Sequence, residues 1–381
     1  MVDLGSVIRP GDGIVWGQAC AEPQTLVEEL VSQRAQLGEV GCFLGSSYSG
    51  IVRPEHAEHL RLTSYCGTGT NRGLADAGVL EIVPVPYSQL GTLIRSKRIK
   101  CDVVMIQVSP PNARGEYSLG LGVEYLAPAL EVARAVIAEV NDQIPWTHTE
   151  PLLRERDFAV QVPNSRKPVY MPFKLDDIGR AIARHAKAFI PDGAVLECGI
   201  GNLPNAVLTD LGERRGLSIH SGLIPEAVTG LELRWCVGGA LMGSQRLFDW
   251  ARDNEKLRLC SSDITHGAAA LGKLERFVAI NSAVEVDLTG QINGELAGES
   301  YVGAVGGALD FVRAANQSSG GVAITVVQSS RVVERLDGPV SVPRSEAGII
   351  VTEKGAADLR GCSLRERERR MRAIASLSGS S

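Results

Sequence analysis

No Cys-x-x-Cys pair occurs in this chain, although it holds eight cysteines: Cys20, Cys42, Cys66, Cys101, Cys198, Cys236, Cys260 and Cys362. Scattered in this way they signal neither a zinc site nor a disulfide framework, and no metal is expected; buried thiols in a reducing compartment are the simpler reading. Also missing is any apolar run long enough to span a bilayer. The N-terminal residues lack the charged, apolar and cleavage regions of a signal peptide, so the expectation is a cytoplasmic protein without a membrane partner. Nor is there an excess of positive charge: 39 Lys and Arg stand against 44 Asp and Glu, a net charge of −5, which argues against a nucleic-acid partner. What remains is ordinary globular composition, 44% apolar and 22% charged, in a chain of 381 residues. That is more than one hydrophobic core usually serves, and two domains are expected.

Two segments half a chain apart repeat one design. Asp12-Gly13 opens a turn, Ile14-Val15-Trp16-Gly17 is a short apolar strand, Gln18 to Glu22 is a small-residue loop, and Pro23 leads into Gln24 to Leu30 at helical spacing. Asp192-Gly193, Ala194 to Cys198, Gly199-Ile200-Gly201, Pro204 and Asn205 to Leu211 follow the same plan. Proline suits the first helical turn because its missing N–H has no partner there in any case.

Between and beyond these segments strand and helix signals alternate. Val40 to Phe43, Leu80 to Val85 and Asp102 to Val108 read as strands, the last ending at Pro110-Pro111. Ala127 to Val140 reads as an amphipathic helix, and polar Asn141 to Lys167 as the crossing between domains. In the second half Ile178 to Ile190 reads as a helix. Gly216 to His220, Phe277 to Ile280, Val284 to Leu288, Ala323 to Gln328 and Gly348 to Thr352 read as strands, and Leu364 to Arg370 as a solvated helix face. The expected fold class is α/β, with mostly parallel sheets covered by helices and ligands at the strand C-terminal ends.

Several stretches carry a resemblance: Ser109-Pro110-Pro111 with Gly115 and Ser118-Leu119-Gly120; Gly199-Ile200-Gly201-x-x-Pro204-x-Ala206-Val207; Ile280-Asn281-Ser282 running to Gln291; Gly303-x-x-Gly306-Gly307-x-x-Asp310; and Val351-Thr352-Glu353 running to Gly361. Together with Gly17-x-Ala19-Cys20-x-Glu22-Pro23, they resemble the acetyl-CoA hydrolase/transferase family, nearest its 4-hydroxybutyrate and butyryl-CoA:acetate CoA-transferases. The likeness runs nearly end to end and in order. It implies two tandem open α/β domains of the CoA-transferase (NagB/RpiA-like) type, residues 1–165 and 166–381, with the active site between them. It also implies a homo-oligomer, dimer or tetramer, acting on an acyl-CoA and a carboxylic acid. No tightly bound cofactor is expected; coenzyme A enters as substrate or product.

In the family this resemblance names, a glutamate attacks the thioester and is carried through a mixed anhydride to a glutamyl-CoA thioester. That glutamate follows His-Ser or His-Thr at a strand, and the matching stretch here is His220-Ser221-Gly222-Leu223-Ile224-Pro225-Glu226. Glycine at 222 has nothing to attack with. Three explanations stand: Glu226 reaches in from further along, the fold serves another acyl-CoA reaction, or the protein only binds. A four-residue displacement moves a carboxylate by several ångströms, which favours redirected chemistry.

The candidate catalytic residues are therefore His220, Ser221 and Glu226. Gly199 and Gly201 are the candidate oxyanion turn; Gly303, Gly306, Gly307 and Asp310 the CoA contacts; and Gln18, Pro110, Tyr117 and Gly222 the acyl pocket. Plainer roles compete for several of them. His220 is by default a packed histidine, Glu226 a helix-start carboxylate, Cys198 and Cys260 core thiols, Asp310 a loop brace, and Tyr117 with Pro110 a cover for the sheet. Hydrolysis or transfer leads as the reaction class; decarboxylation or another lyase reaction, and an acyl-CoA-binding pseudoenzyme, are the alternatives.

Overall fold

The computed structural model describes residues 2–377. Its first sheet contains β1 (Gly13–Trp16), β2 (Val40–Leu44), β3 (Leu60–Ser64), β4 (Leu80–Ile82), β5 (Val103–Val108), β6 (Ala135–Asn141) and β7 (Val160–Asn164). They lie in the order β4-β3-β2-β1-β5-β6-β7, and every neighbouring pair is parallel. The second half opens with β8 (Val195–Cys198), β9 (Leu217–Pro225), β10 (Leu233–Met242), β11 (Leu257–Leu259) and β12 (Phe277–Ser282). Small ribbons follow from β13 (Glu285–Asp287), β14 (Ile292–Asn293), β15 (Leu296–Ala297) and β16 (Ser300–Tyr301). After β17 (Val322–Val326), β18 (Val332–Val333) joins a ribbon, and β19 (Ile349–Thr352) and β20 (Gly355–Asp358) complete the large sheet. Its order is β11-β10-β9-β8-β12-β17-β19-β20, parallel except for the β19–β20 hairpin.

The duplication seen in the sequence is thus a duplication of topology. Each half starts at a central strand, β1 or β8, steps outward through three strands on one side, and returns to the other side through β5 or β12. Helices cover both faces of a parallel sheet, so its strands are apolar nearly throughout; β1 and β5 are buried at every position. Pro23 precedes the helix Gln24–Leu37, and Pro204 sits in the first turn of Asn202–Thr209, as the repeat predicts. No helix among the described residues is long and apolar enough to cross a membrane.

Three expectations are corrected. Ala127 to Val140 is not one helix: the helix is Leu126–Val132, Ala133 turns extended, and Ala135–Asn141 is β6. Val136, Ile137 and Ala138 are buried between β5 and β7, and β-branched residues held between two strands outweigh a helical spacing. Within Asn141 to Lys167, Val160–Asn164 forms β7, the edge of the first sheet. The strand expected over Gly216 to His220 runs on to Pro225, which places Gly222 inside it.

The halves are stitched together by the backbone. Val123 N–H donates to the Gly239 carbonyl (2.9 Å) and Leu241 N–H to Leu121 (2.8 Å), adding a segment of the first half beside β10. Gly67 N–H donates to Gly303 (2.8 Å) and Tyr87 N–H to Gly306 (2.9 Å). A single apolar cluster runs from Val15 and Val104 through Leu119 and Leu121 to Leu196 and Ile219.

Candidate active site

Both sheets reverse direction beside their central strand, between β1 and β5 and between β8 and β12, and open α/β sheets bind ligands beyond the strand ends at such points. A cavity of about 290 Å³ lies there, between the halves.

From the first half, Gln18 follows β1 and organises one wall. Its Oε1 accepts from Ser46 N–H and from the Tyr65 hydroxyl, both at 2.8 Å. Its Nε2 donates to Glu124 Oε2 (2.7 Å) and the Tyr87 hydroxyl (3.0 Å). With every polar atom of the amide engaged, its orientation is fixed by the network. Glu124 is 4% exposed and holds a left-handed backbone, φ 41°, uncommon for a residue with a side chain. Burial raises its carboxyl to about 7, opposed by the Gln18 and Tyr87 hydrogen bonds.

From the second half comes a different wall. Gly199, Gly222, Gly303, Gly306 and Gly307 bring backbone to the surface of the cavity. Glu197, on β8, accepts from Asn281 Nδ2 (2.8 Å) on neighbouring β12, and burial raises its carboxyl to about 8.

His266 follows the short helix Ser262–Thr265 and stands between two of these glycines. Its ring lies 4.6 Å from the rings of both Tyr87 and Phe311, and Nδ1 is 2.9 Å from the Thr265 hydroxyl. A Cβ on Gly222 would come within 2.8 Å of the imidazole Nε2, and one on Gly307 within 2.5 Å. Neither glycine has a left-handed backbone, so the ring, not the chain conformation, requires them. Burial, with His220 close by, lowers the His266 imidazole to about 3, so it is neutral at pH 7.

The residues singled out from sequence divide. Gln18, Gly199, Gly222, Gly303, Gly306 and Gly307 line the cavity. Gly201 lies just beyond it, in a smaller pocket that shares Gly199 and Ile200. His220 lies beneath, its Nε2 3.1 Å from the Thr265 carbonyl, and burial lowers its pKa. Ser221 braces β9 against β8, donating to the Cys198 carbonyl (3.1 Å) and accepting from Cys198 N–H (3.2 Å). Glu226 points away: Ser244 donates to its Oε2 through N–H (2.8 Å) and through its hydroxyl. His220, Ser221 and Glu226 do not line the cavity. Pro110 borders a separate cleft with Trp146 and Arg258. The Tyr117 hydroxyl donates to Gln161 (3.3 Å), with its ring against Phe158. Asp310 accepts from Ser88 N–H and hydroxyl, clasping the halves.

Glu124, Glu197, Tyr87 and His266 were not anticipated. Glu197 alone left a signal, an acidic residue inside the apolar run Ala194 to Cys198. No cluster of three metal-ligating side chains occurs among the described residues.

The profile of the acetyl-CoA hydrolase/transferase N-terminal domain matches residues 2–152, and that of the C-terminal domain residues 243–377. The 4-hydroxybutyrate coenzyme A transferase of Clostridium kluyveri is 33% identical, over 97% of this chain and 92% of its own. The crystal structure of RipA from Yersinia pestis superposes with a TM-score of 0.91 at 28% identity, covering 97% of this chain and 92% of that one. That of 4-hydroxybutyrate CoA-transferase from Porphyromonas gingivalis gives 0.81 at 27%, covering 97% and 91%. With matches to both of its domains and a relative aligned almost end to end, the chain belongs to the acetyl-CoA hydrolase/transferase family.

Proposed function

We propose that the protein takes an acyl-CoA thioester into the cavity between its halves and acts on it without a glutamyl-CoA intermediate. One observation carries this reading: the His266 ring occupies the space into which a side chain at Gly222 would project, and Gly222 is the position that the resemblance to the family motif implies for the nucleophile. The glycine wall supports thioester binding, because backbone without side chains allows an extended ligand to approach N–H groups closely. The names of the relatives, coenzyme A transferases, agree with that ligand. Hydrolysis or direct transfer remains the leading reaction. In hydrolysis the oxygen of water bonds to the carbonyl carbon, the C–S bond breaks, and CoA leaves as thiolate and takes up a proton from the water. In transfer a carboxylate oxygen bonds there, CoA leaves as thiolate to give a mixed anhydride, and the thiolate then attacks the anhydride's other carbonyl, forming the new thioester and releasing the first acid as carboxylate.

A second reading is favoured by the two buried carboxyls. With Glu124 raised to about 7 and Glu197 to about 8, a large share of both is in the neutral acid form at pH 7, beside a neutral imidazole. Acids kept neutral donate hydrogen bonds to a developing enolate without opposing its charge. An acyl-CoA bearing a carboxylate β to the thioester carbonyl would lose it as CO2: the C–C bond breaks, its electron pair forms the enolate, and a proton then returns to carbon.

Calorimetry and thermal melting with acetyl-, butyryl-, succinyl- and malonyl-CoA read binding, a thiol reagent reads CoA release, and evolved CO2 reads decarboxylation. A thioester that binds the native state alone adds about 2.7 kcal/mol at roughly a hundredfold excess over Kd. No stabilisation by any thioester at millimolar concentration overturns the reading; binding with neither product favours the pseudoenzyme.

A further inference from the structure

Gly222, inside β9, and Gly307, just before the helix Ala308–Gln317, put no side chain between His266 Nε2 and the cavity. The atom has no hydrogen-bond partner among the described residues, yet it is not sealed from solvent. A nitrogen that is open to the cavity and has no protein partner is free to bond water or a bound ligand. The rest of the ring is held, packed at tilted angles between Tyr87 and Phe311 and in contact at Nδ1 with the Thr265 hydroxyl.

The anchor bears on where the proton sits. The Thr265 hydroxyl lies 2.9 Å from Nδ1 and 3.4 Å from the Ser261 carbonyl. When that hydroxyl donates to Nδ1, the single proton of the neutral ring is on Nε2, facing the cavity, and this is the tautomer the proposal takes. A neutral imidazole N–H that cannot readily take a second proton suits polarisation of a carbonyl better than general base chemistry.

We propose that His266 Nε2–H donates a hydrogen bond to the carbonyl oxygen of the bound thioester and holds the negative charge that develops there. This rests on the reading that the cavity takes an acyl-CoA. The role serves hydrolysis, transfer and decarboxylation alike, since each builds charge on that oxygen as an oxyanion or enolate. It gives the chemistry a fixed donor where residue 222 supplies no group, and it accounts for why both flanking positions lack side chains.

The test uses S-(2-oxopentyl)-CoA, a ketone analogue of the butyryl thioester that cannot be cleaved at sulfur, carrying 13C at its carbonyl. Bound to the full-length protein, the carbonyl resonance is expected downfield of the free compound. His266→Phe keeps the aromatic packing without the N–H and should lose the displacement while still binding the analogue. His266→Gln, whose amide reaches a similar point, should retain part of it. On a turned-over thioester, His266→Phe is expected to lower kcat on the order of 10²-fold with KM nearly unchanged. If His266→Phe does not fold, Thr265→Val carries the same test: the ring stays, the hydroxyl that would hold the proton on Nε2 is lost, and the displacement should shrink. Equal displacement in the parent and in the folded variant overturns the role of His266 while leaving the acyl-CoA reading intact. Absence of any binding heat with the parent overturns the acyl-CoA reading itself.

Discussion

In the first half of the molecule the cavity wall is organised by one hydrogen-bonded network of side chains; the second half adds a run of glycines that the first does not have. The sheets share one strand order around β1 and β8, so the difference lies in the residues set on that frame, in the loops and, at Glu197 and Gly222, within β8 and β9. After β1 comes Gln18, with four hydrogen bonds that fix Ser46, Tyr65, Tyr87 and Glu124. After β8 comes Gly199, and Gly222, Gly303, Gly306 and Gly307 continue that wall. A repeated scaffold thus carries two different rims, one with a fixed side-chain network and the other with glycines. His266 belongs to the second half but lies against Tyr87 of the first, where the two rims meet.

The sharpest way to break the comparison is to give the glycine wall a side chain. Gly307→Leu places a Cβ 2.5 Å from His266 Nε2 and 3.0 Å from the Phe311 ring. Overpacking of this kind costs about 3 kcal/mol, and acyl-CoA stabilisation should vanish with it. Gly222→Ala should cost less, about 2 kcal/mol. Because the clash is with one ring, Gly222→Ala combined with His266→Ala should be more stable than the sum of the two changes by at least about 1 kcal/mol in denaturant unfolding. Simple additivity would mean that the ring does not set the identity of residue 222.

The side-chain wall breaks differently. Gln18→Ala leaves Ser46 N–H and the Tyr65 hydroxyl without their acceptor and removes a donor from Glu124. About 2 kcal/mol should be lost, with the glycine wall unmoved.

A pH titration sharpens the same contrast. Burial raises Glu197 from 4.5 to about 8, so between those values the native state binds more protons than the unfolded chain. Stability contributed by the neutral acid is present at low pH and lost as pH rises through that window, and Glu124, raised to about 7, acts in the same direction. From about pH 6 to about pH 9 the decline should be on the order of 2 kcal/mol, and Glu197→Gln should remove much of it. The smallest effect is expected at Glu226, whose carboxylate serves Ser244 outside the cavity: Glu226→Gln should cost under about 1 kcal/mol and leave turnover unchanged.

Much of the scaffold was legible because its signals are local. The runs Ile14 to Trp16 and Ala194 to Cys198 sit between turn residues and a proline, and a buried strand between such marks needs little context. Ala127 to Val140 was misread because its alanines, leucines and valines satisfy a helical period, while the strand identity of Ala135–Asn141 comes from pairing with β5 and β7. Val160–Asn164 was missed because its apolar alternation covers only Val160-Gln161-Val162 before Pro163 interrupts it. In the site, the glycines were legible through their spacing. Glu124, Glu197 and His266 were not, since what distinguishes them is burial and approach between chain segments far apart in sequence. His266 lies 44 positions after the glycine whose missing side chain it replaces in space.

The central claim is that an acyl-CoA is held and processed here with no covalent glutamyl-CoA. Intact-protein mass spectrometry after incubation with butyryl-CoA, run beside calorimetry on the same sample, tests it most directly. The expected result is measurable binding and an unmodified mass. A mass increase equal to CoA less one water, mapped by peptide analysis to Glu124, Glu197 or Glu226, would contradict it.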